Sequence, residues 1–150
     1  LAKVNDHLCE TNEEGLFVTV WMAIVDINTG HVVESNAGHE YPTIMRAGGE
    51  FELIKTKHSP AVATMEGMNY KEWEYDLKPG DRLFVYTDGV PEATNAENEL
   101  FGTDRMLNAL NADKDADNVQ LLKNVRRSVD EFVGDAPQFD DLTMLSVKLL

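Results

Sequence analysis

The stretch RLFVYTDGV, residues 82–90, decides the fold. Its unbroken apolar run predicts a strand that is covered on both faces and therefore lies inside a sheet. The strand ends at Asp88, and Gly89 after it allows a positive φ or a close backbone approach. Asp88 has two interpretations: it starts a turn, or it stays at the strand end to hold a positively charged group.

A second strand with a carboxylate at its edge closes the chain. LTMLSVKLL, residues 142–150, begins directly after Asp140 and Asp141. If this strand is an antiparallel neighbour of the first, the three carboxylates meet at one sheet edge. Like charges brought together repel and raise one another's pKa, so such a cluster favours a bound cation. Oxygen ligands without accompanying Cys or paired His indicate Mg²⁺ or Mn²⁺.

A plainer interpretation of the same carboxylates stays open. Asp-Gly is a common turn dipeptide, and an Asp before a strand is often only a local cap. Residue types and spacing alone do not separate a cation site from two capped turns.

The remaining patterns predict an α+β protein with an antiparallel sheet and helices packed on it. Helical spacing of Leu1, Val4 and Leu8 predicts an amphipathic helix that stops at Gly15. Alternating or β-branched runs predict strands, two of them joined by an Asn-Thr-Gly turn. These runs are residues 16–26, 32–38, 43–47, 51–56 and 70–77.

Three local expectations follow from the same patterns. LFVTVWMAIV, residues 16–25, is too short to cross a bilayer and is expected to be a buried strand. Thr103 is expected to cap a short helix. A longer helix from Asp117 to Val133 has capping-box spacing with Gln120 and ends at Gly134. Its expected buried stripe is Leu122, Val125, Val129, Phe132 and Val133.

Composition narrows the function classes. A chain of 150 residues fits one domain, residues 1–150. With 27 acidic and 13 basic residues, the net charge of −14 would repel a phosphate backbone, so nucleic acid is not an expected partner. The acidic surface could concentrate divalent cations or only maintain solubility. Cys9 is the only cysteine, which excludes an internal disulfide and is consistent with the cytoplasm.

Four blocks of sequence carry a family resemblance. They are VNDHLCETNEEGLFVTVWMAIVDINTG, NAGHEYP, LKPGDRLFVYTDGVPEATNAENELFG and FDDLTML, in this order. Together they resemble the sporulation stage II protein E-like branch of the metal-dependent, protein phosphatase 2C-like serine/threonine phosphatases. The resemblance covers essentially the whole chain.

The resemblance implies a four-layer αββα fold, an antiparallel β-sandwich flanked by helices, with a two-metal Mn²⁺ or Mg²⁺ centre at one sheet edge. Asp88 matches a metal aspartate of the family, and Asp140 matches the aspartate of its terminal motif. Asp141 occupies the variable second place of that motif. None of these residues is expected to attack the substrate; they hold the ion. His39 is expected to fix its loop by hydrogen bonding, with proton donation as the alternative.

The family's bridging metal aspartate and a further acidic ligand precede the first helices, and no residue of this chain matches them. The chain therefore resembles the C-terminal part of a catalytic domain with its N-terminal strands missing, and we expect it to be inactive alone. The implied partners are an anti-anti-sigma-type phosphoprotein and an upstream sensor domain, which a membrane segment elsewhere could tether. An uncovered sheet edge would favour a homodimer. The alternative function is a non-catalytic interaction module with a degenerate phosphatase fold.

Overall fold

A computed structural model describes residues 1–138 and 140–150 of the chain. Phe139, the first residue of the FDDLTML block, lies outside the described residues. The chain divides into two compact units, the first formed by residues 1–39 and 55–77 and the second by residues 40–54 and 78–150. The expectation of one domain over residues 1–150 stays a prediction.

The helices and strands follow one another as α1 (Ala2–Cys9), β1 (Val20–Val25), β2 (His31–Ala37), β3 (Thr43–Met45), β4 (Phe51–Leu53), β5 (Trp73–Asp76), β6 (Arg82–Tyr86), α2 (Gly102–Asn111), α3 (Asn118–Val133) and β7 (Met144–Lys148). None of the helices in the described part of the chain is long and apolar enough to cross a bilayer.

The first unit holds a three-stranded antiparallel sheet in the order β1-β2-β5. The hairpin of β1 and β2 pairs Val20 with Ala37 and Val25 with Val32, which confirms the predicted turn between them. β5 pairs with the other side of β2, with His31 opposite Asp76. β2 is therefore the central strand, and Val32 and Ala37 are fully buried.

The expectation that residues 16–25 form a buried strand is wrong. Only Val20–Val25 are a strand, and Leu16 and Ile24 are each 70% exposed. β1 is an edge strand, and β2 is its one hydrogen-bonded neighbour in this sheet. An apolar run reports the preference of its side chains for burial, and an edge strand satisfies that preference only in part.

Helix α1 also departs from the amphipathic pattern. It ends at Cys9 rather than near Gly15, and Val4 is 55% exposed, whereas Asn5 is completely buried. The Asn5 amide donates to the carbonyl of Met65 and accepts from the N–H of Ala63 and the hydroxyl of Tyr70. Polar hydrogen bonds, rather than an apolar stripe, dock this helix.

The second unit holds a four-stranded antiparallel sheet in the order β4-β3-β6-β7. β6 lies between β3 and β7, as its apolar sequence predicts, and four of its five residues are buried. Met45 pairs with Phe51 across the tight hairpin of β3 and β4.

Helices α2 and α3 pack against this sheet and form its core. The core combines side chains of β3, β4, β6, the connection between β6 and α2, and both helices: Met45, Phe51, Phe84, Tyr86, Val90, Ala93, Phe101, Met106, Ala109, Leu110, Leu121, Val125 and Val129. Alternate residues of β6 therefore point toward the helices, with Phe84 and Tyr86 stacked at a centroid distance of 5.7 Å.

The helix boundaries test the predicted caps. Asp117 caps α3 by accepting from the Gln120 N–H at 2.7 Å, and Gly134 ends the helix with φ +59°, both as predicted. The Gln120 side chain bonds to Asn124 instead of completing the capping box. The Thr103 cap is wrong: α2 begins at Gly102 behind Phe101, without a side-chain cap. The buried residues of α3 are Leu121, Val125 and Val129, so the predicted stripe is right for Val125 and Val129 but contained Leu122 in place of Leu121. Leu122, Phe132 and Val133 are partly buried against the core.

Antiparallel sheets with packed helices confirm the predicted α+β class. The two strands that carry the candidate carboxylates, β6 and β7, are hydrogen-bonded neighbours in the second unit.

Candidate metal centre

The pairing of β6 with β7 brings the predicted carboxylate positions to one sheet edge. Tyr86 is the last residue of β6 and lies opposite Met144, the first residue of β7. Because the strands are antiparallel, the residues that follow β6 and those that precede β7 leave the sheet on the same side. Asp88 and the pair Asp140 and Asp141 occupy these two positions.

Thr87 fastens the two strand ends together. Its N–H donates to the Thr143 carbonyl at 3.0 Å. Its hydroxyl accepts from the Thr143 N–H at 3.0 Å and donates to the Asp141 carbonyl at 3.0 Å. These bonds continue the β6–β7 pairing past the last ladder residue, which fixes the backbone on both sides of the candidate site.

Gly89 allows the two backbones to approach closely. A Cβ atom at this position would lie 3.0 Å from the Asp141 carbonyl carbon and closer still to the carbonyl oxygen. Real Cβ atoms do not tolerate such a contact with backbone, so a side chain here would push the strand ends apart. Gly89 does not adopt a positive φ. A glycine is therefore needed here for the close approach of the two backbones.

Asp140 and Asp141 have different roles at this edge. A carboxylate oxygen of Asp140 accepts from the Asp141 N–H at 2.6 Å, and the Asp140 carbonyl accepts from the Gln138 amide at 2.7 Å. Asp141 contributes its carbonyl to the contacts with Thr87 and Gly89. Both side chains are exposed, and Asp140 lines the adjoining cavity while Asp141 does not.

Glu40 is a further acidic residue of this edge that sequence reasoning missed. Burial, together with the negative charges of Asp88 and Glu92, raises the pKa of Glu40 above its ordinary value. Glu92 is held nearby because its N–H donates to the Asp88 carbonyl at 2.9 Å. Burial and the Glu40 charge also raise the pKa of the Tyr86 hydroxyl. The edge is therefore a region of strong negative potential.

Strand order is the signal that locates Glu40. β3 is the other neighbour of β6 and is also antiparallel to it, with Thr43 opposite Phe84. Residues just before β3 must therefore lie at the same edge as residues just after β6. Glu40 is three residues before β3, so the rule that places Asp140 at this edge places Glu40 there too.

A cavity of about 340 Å³ opens beside these carboxylates. Gly89, Glu92 and Asp140 line one side of it, and the C-terminal part of α3 lines the other. Arg126 and Asp130 of α3 also lie on the wall and form an ion pair of 2.8 Å. Carboxylates and a guanidinium therefore line the same cavity.

The donor set fits a hard divalent cation in type but is incomplete in number. Asp88, Asp140, Glu40 and Glu92 supply only carboxylate oxygens, the ligands that Mg²⁺ and Mn²⁺ favour. Within residues 1–138 and 140–150, no group of three His, Cys, Asp or Glu side chains is close enough to hold a metal ion. The metal assignment for Asp88, Asp140 and Asp141 stays a prediction.

His39 makes the hydrogen bonds expected of a residue that fixes its loop. Its N–H donates to the Asn36 side-chain oxygen at 2.8 Å, and Nδ1 lies 3.2 Å from the Thr19 hydroxyl. His31 bonds elsewhere, with its ring nitrogens 3.0 Å from Asp76 and 3.6 Å from Glu74. Both environments are local to the first unit.

Comparison with known structures defines the class of fold. The SiaA PP2C domain of Pseudomonas aeruginosa is 21% identical, with a TM-score of 0.74 over 87% of this chain and 51% of that chain. The phosphatase domain of SpoIIE from Bacillus subtilis, from a manganese-presoaked sample, is 17% identical, with a TM-score of 0.67 over 87% of this chain and 56% of that chain. The fold is that of PP2C-type phosphatase domains, as predicted.

Sequence comparison gives the family. The family model of stage II sporulation protein E matches residues 1–150. Protein IcfG of Synechocystis is 31% identical over 95% of this chain and 22% of its own length. The chain therefore belongs to the SpoIIE family of PP2C-type phosphatase domains. It spans about half of the two solved domains and about a fifth of IcfG.

Proposed function

We propose that this chain carries one wall of the active site of a metal-dependent protein phosphatase, which hydrolyses phosphoserine or phosphothreonine on a bacterial regulatory protein. The observation that supports this most is that the segments carrying Asp88 and Asp140 meet at the β6–β7 edge, through the contacts of Thr87 and Gly89 with Asp141, in a SpoIIE-family chain.

Asp88 and Asp140 are the proposed metal ligands. A divalent cation held by them would supply Lewis acidity for hydrolysis of a phosphate ester. Thr87, Gly89 and the Asp141 carbonyl hold the two ligand-bearing segments in register. Glu40 and Glu92 add negative potential that attracts a cation to the same edge. We assign Asp141 a positioning role through its backbone, with its side chain as the weaker ligand candidate.

The cavity beside the carboxylates is the proposed entrance for the phosphorylated side chain. Its volume of about 340 Å³ suits one side chain, and Arg126 on its wall is a cation that can face a phosphate. Arg126 is paired with Asp130, so a phosphate would compete with that carboxylate. The net charge of −14 disfavours a nucleic acid as the substrate.

The substrate is proposed to be an anti-anti-sigma-type phosphoprotein, and an upstream sensor domain is proposed to control the reaction. Both rest on the family alone. Since two firm carboxylate ligands hold a hard cation weakly, we also propose that residues 1–150 by themselves have little hydrolytic activity.

A phosphatase assay on the gene product that contains this chain tests the proposal. With a phosphoserine peptide and Mn²⁺, we expect phosphate release that falls about a hundredfold or more in Asp88→Asn and in Asp140→Asn. Asp113→Asn, which removes an exposed carboxylate elsewhere, should leave the rate unchanged. The 150-residue chain should release little phosphate under the same conditions.

Two outcomes would contradict this assignment. Absence of Mn²⁺-dependent release from the gene product would favour the non-catalytic interaction module. Equal rates in Asp88→Asn and wild type would show that the β6–β7 edge takes no part in the reaction.

A further inference from the structure

A second cavity of the same unit lies at the opposite end of the β4-β3-β6-β7 sheet. It has a volume of about 410 Å³ and is bounded by the β3–β4 hairpin, the α2–α3 connection and the outer ends of β6 and β7. Three of its lining residues are cations, Arg82, Lys114 and Lys148, and one is an acid, Asp115. In a chain of net charge −14, this is an unusual local excess of positive charge.

Arg82 is the central feature of the cavity. It is the first residue of β6 and only 3% exposed, yet its Nε and Nη1 have no hydrogen-bond partner among the described residues. A guanidinium stays protonated in proteins, so Arg82 cannot relieve its burial by losing charge. Buried guanidinium N–H groups without acceptors are unfavourable, and an anion in this cavity would supply acceptors for Nε and Nη1.

The strand register places a second cation beside Arg82. Lys148 is directly opposite Arg82 across the β6–β7 pair, so both side chains leave the same face of the sheet. Like charges in directly opposed positions destabilise a sheet unless a counter-charge lies between them. The strand register is thus a second reason, independent of the burial of Arg82, to expect an anion in this cavity.

Two of the acidic residues near Arg82 form ion pairs with other cations, and the third lines the cavity without pairing with Arg82. Asp81 is buried, but it accepts from Arg46 at 2.7 Å and from the N–H groups of Ala47 and Lys78. Glu50 pairs with Lys114 at 2.8 Å. Asp115 lines the cavity, but it forms no ion pair with Arg82 within the described ranges.

We propose that this cavity is a phosphate-binding site, distinct from the candidate metal centre. Counting Glu50, which pairs with Lys114, the three cations exceed the acids by one charge, and the unpartnered N–H groups of Arg82 suit the oxygens of a phosphate. The Arg82 guanidinium can donate two parallel hydrogen bonds to phosphate oxygens, and Lys148 and Lys114 act as point charges. The ligand is either inorganic phosphate or a small molecule that carries a phosphate group.

The location makes the site separable from the metal centre by experiment. Arg82 lies six residues before Asp88 in the chain, about 20 Å along an extended strand. Phosphate bound at Arg82 therefore does not need Asp88, Asp140 or a divalent cation. This inference does not depend on the proposed phosphatase function.

Calorimetric titration of the 150-residue chain tests the site. The titrants are inorganic phosphate and phosphoserine, with EDTA present and the ionic strength held constant. We expect saturable binding that weakens about tenfold in Arg82→Gln and in Lys148→Gln, since each removes one charge-assisted contact. Lys148 is exposed, so its variant should fold even if Arg82→Gln does not. Binding of phosphoserine as well as phosphate indicates a ligand that carries its phosphate; binding of phosphate alone indicates free phosphate.

Matched variants distinguish binding in this cavity from a general attraction of phosphate to surface lysines. Lys123→Gln removes an exposed lysine of α3 outside the cavity and should leave binding unchanged. Asp115→Asn should strengthen binding about threefold because it removes the competing negative charge. The proposal is wrong if neither titrant binds saturably, or if Lys123→Gln weakens binding as much as Lys148→Gln. It is also wrong if Asp115→Asn weakens binding, since Asp115 would then be part of the ligand's support.

Discussion

Gly89 lies against the backbone of Asp141, at a distance that leaves no room for a Cβ atom between them. This contact joins the turn after β6 to the segment before β7, the two segments that carry Asp88 and Asp140. The position of the candidate ligands therefore depends on the absence of one side chain.

Gly89→Ala should lower the free energy of unfolding by about 1–3 kcal/mol, because the added methyl group meets backbone that cannot move aside. Chemical denaturation measures the loss. Gly48→Ala is the comparison: its φ of +76° disfavours alanine by about 1 kcal/mol, but nothing lies near its Cβ. If Gly89→Ala lowers the free energy of unfolding no more than Gly48→Ala does, the close approach does not contribute to stability.

Thr87→Val should lower the free energy of unfolding by about 1–2 kcal/mol. The variant keeps the shape of the side chain but removes its bonds to the Asp141 carbonyl and the Thr143 N–H. Thr103→Val makes the same chemical change where the hydroxyl does not cap α2, and it should be nearly neutral. Equal stability of the two variants would show that Thr87 does not fasten the strand ends.

The main features of the candidate site could be predicted because they follow from strand order. An apolar run that ends in Asp88, and a second strand that follows Asp140, place both residues at one edge as soon as the strands are neighbours. Glu40 follows by the same rule through β3. It was missed because the sequence predicts the strand at residues 43–47 but not its pairing with β6.

Other features could not be predicted because they depend on contacts distant in sequence. Asn5 is buried only because Ala63, Met65 and Tyr70 supply its partners, and hydrophobic periodicity does not register such a site. The exposure of Leu16 and Ile24 depends on the edge position of β1, which no local pattern reveals. The register of Arg82 with Lys148 likewise appears only when the strands are paired.

Glu34 should make stability depend on pH in the acidic range. It is 1% exposed, and burial raises its pKa, although the side chains of Trp21, Tyr75 and Thr56 donate to it. The native state therefore holds this proton more tightly than the unfolded chain does. Its contribution to stability is greatest below the unfolded-state pKa and falls as pH rises through the native pKa.

Glu34→Gln provides the measurement. As pH rises above the unfolded-state pKa of about 4.3, denaturation midpoints of the wild type should fall more steeply than those of the variant, which cannot ionise at this position. Glu52→Gln, a change at an exposed glutamate of β4, serves as the control and should retain the wild-type slope. Parallel curves for wild type and Glu34→Gln would mean that Glu34 does not titrate differently in the two states.

His31 should add a second, weaker pH dependence near neutrality. A hydrogen bond to Asp76 raises its pKa, burial opposes this, and the charges of Asp76, Glu74 and Asp26 add to the increase. Its stabilising effect is complete below the unfolded-state pKa of about 6.5 and is lost as pH rises through the native pKa. NMR titration should show a raised His31 pKa that moves back toward about 6.5 in Asp76→Asn and at high salt. A His31 pKa unaffected by both changes would contradict the pairing.

The central claim is that Asp88 and Asp140 share one divalent cation at the β6–β7 edge. Paramagnetic broadening of backbone amide resonances by substoichiometric Mn²⁺ tests it most directly, because broadening reports the position of even a weakly bound ion. We predict selective broadening of the Gly89, Asp140 and Asp141 amides in the wild type, lost in Asp88→Asn and in Asp140→Asn and kept in Asp113→Asn. Broadening spread evenly over the acidic surface, or unchanged in the Asp88 and Asp140 variants, would contradict the claim.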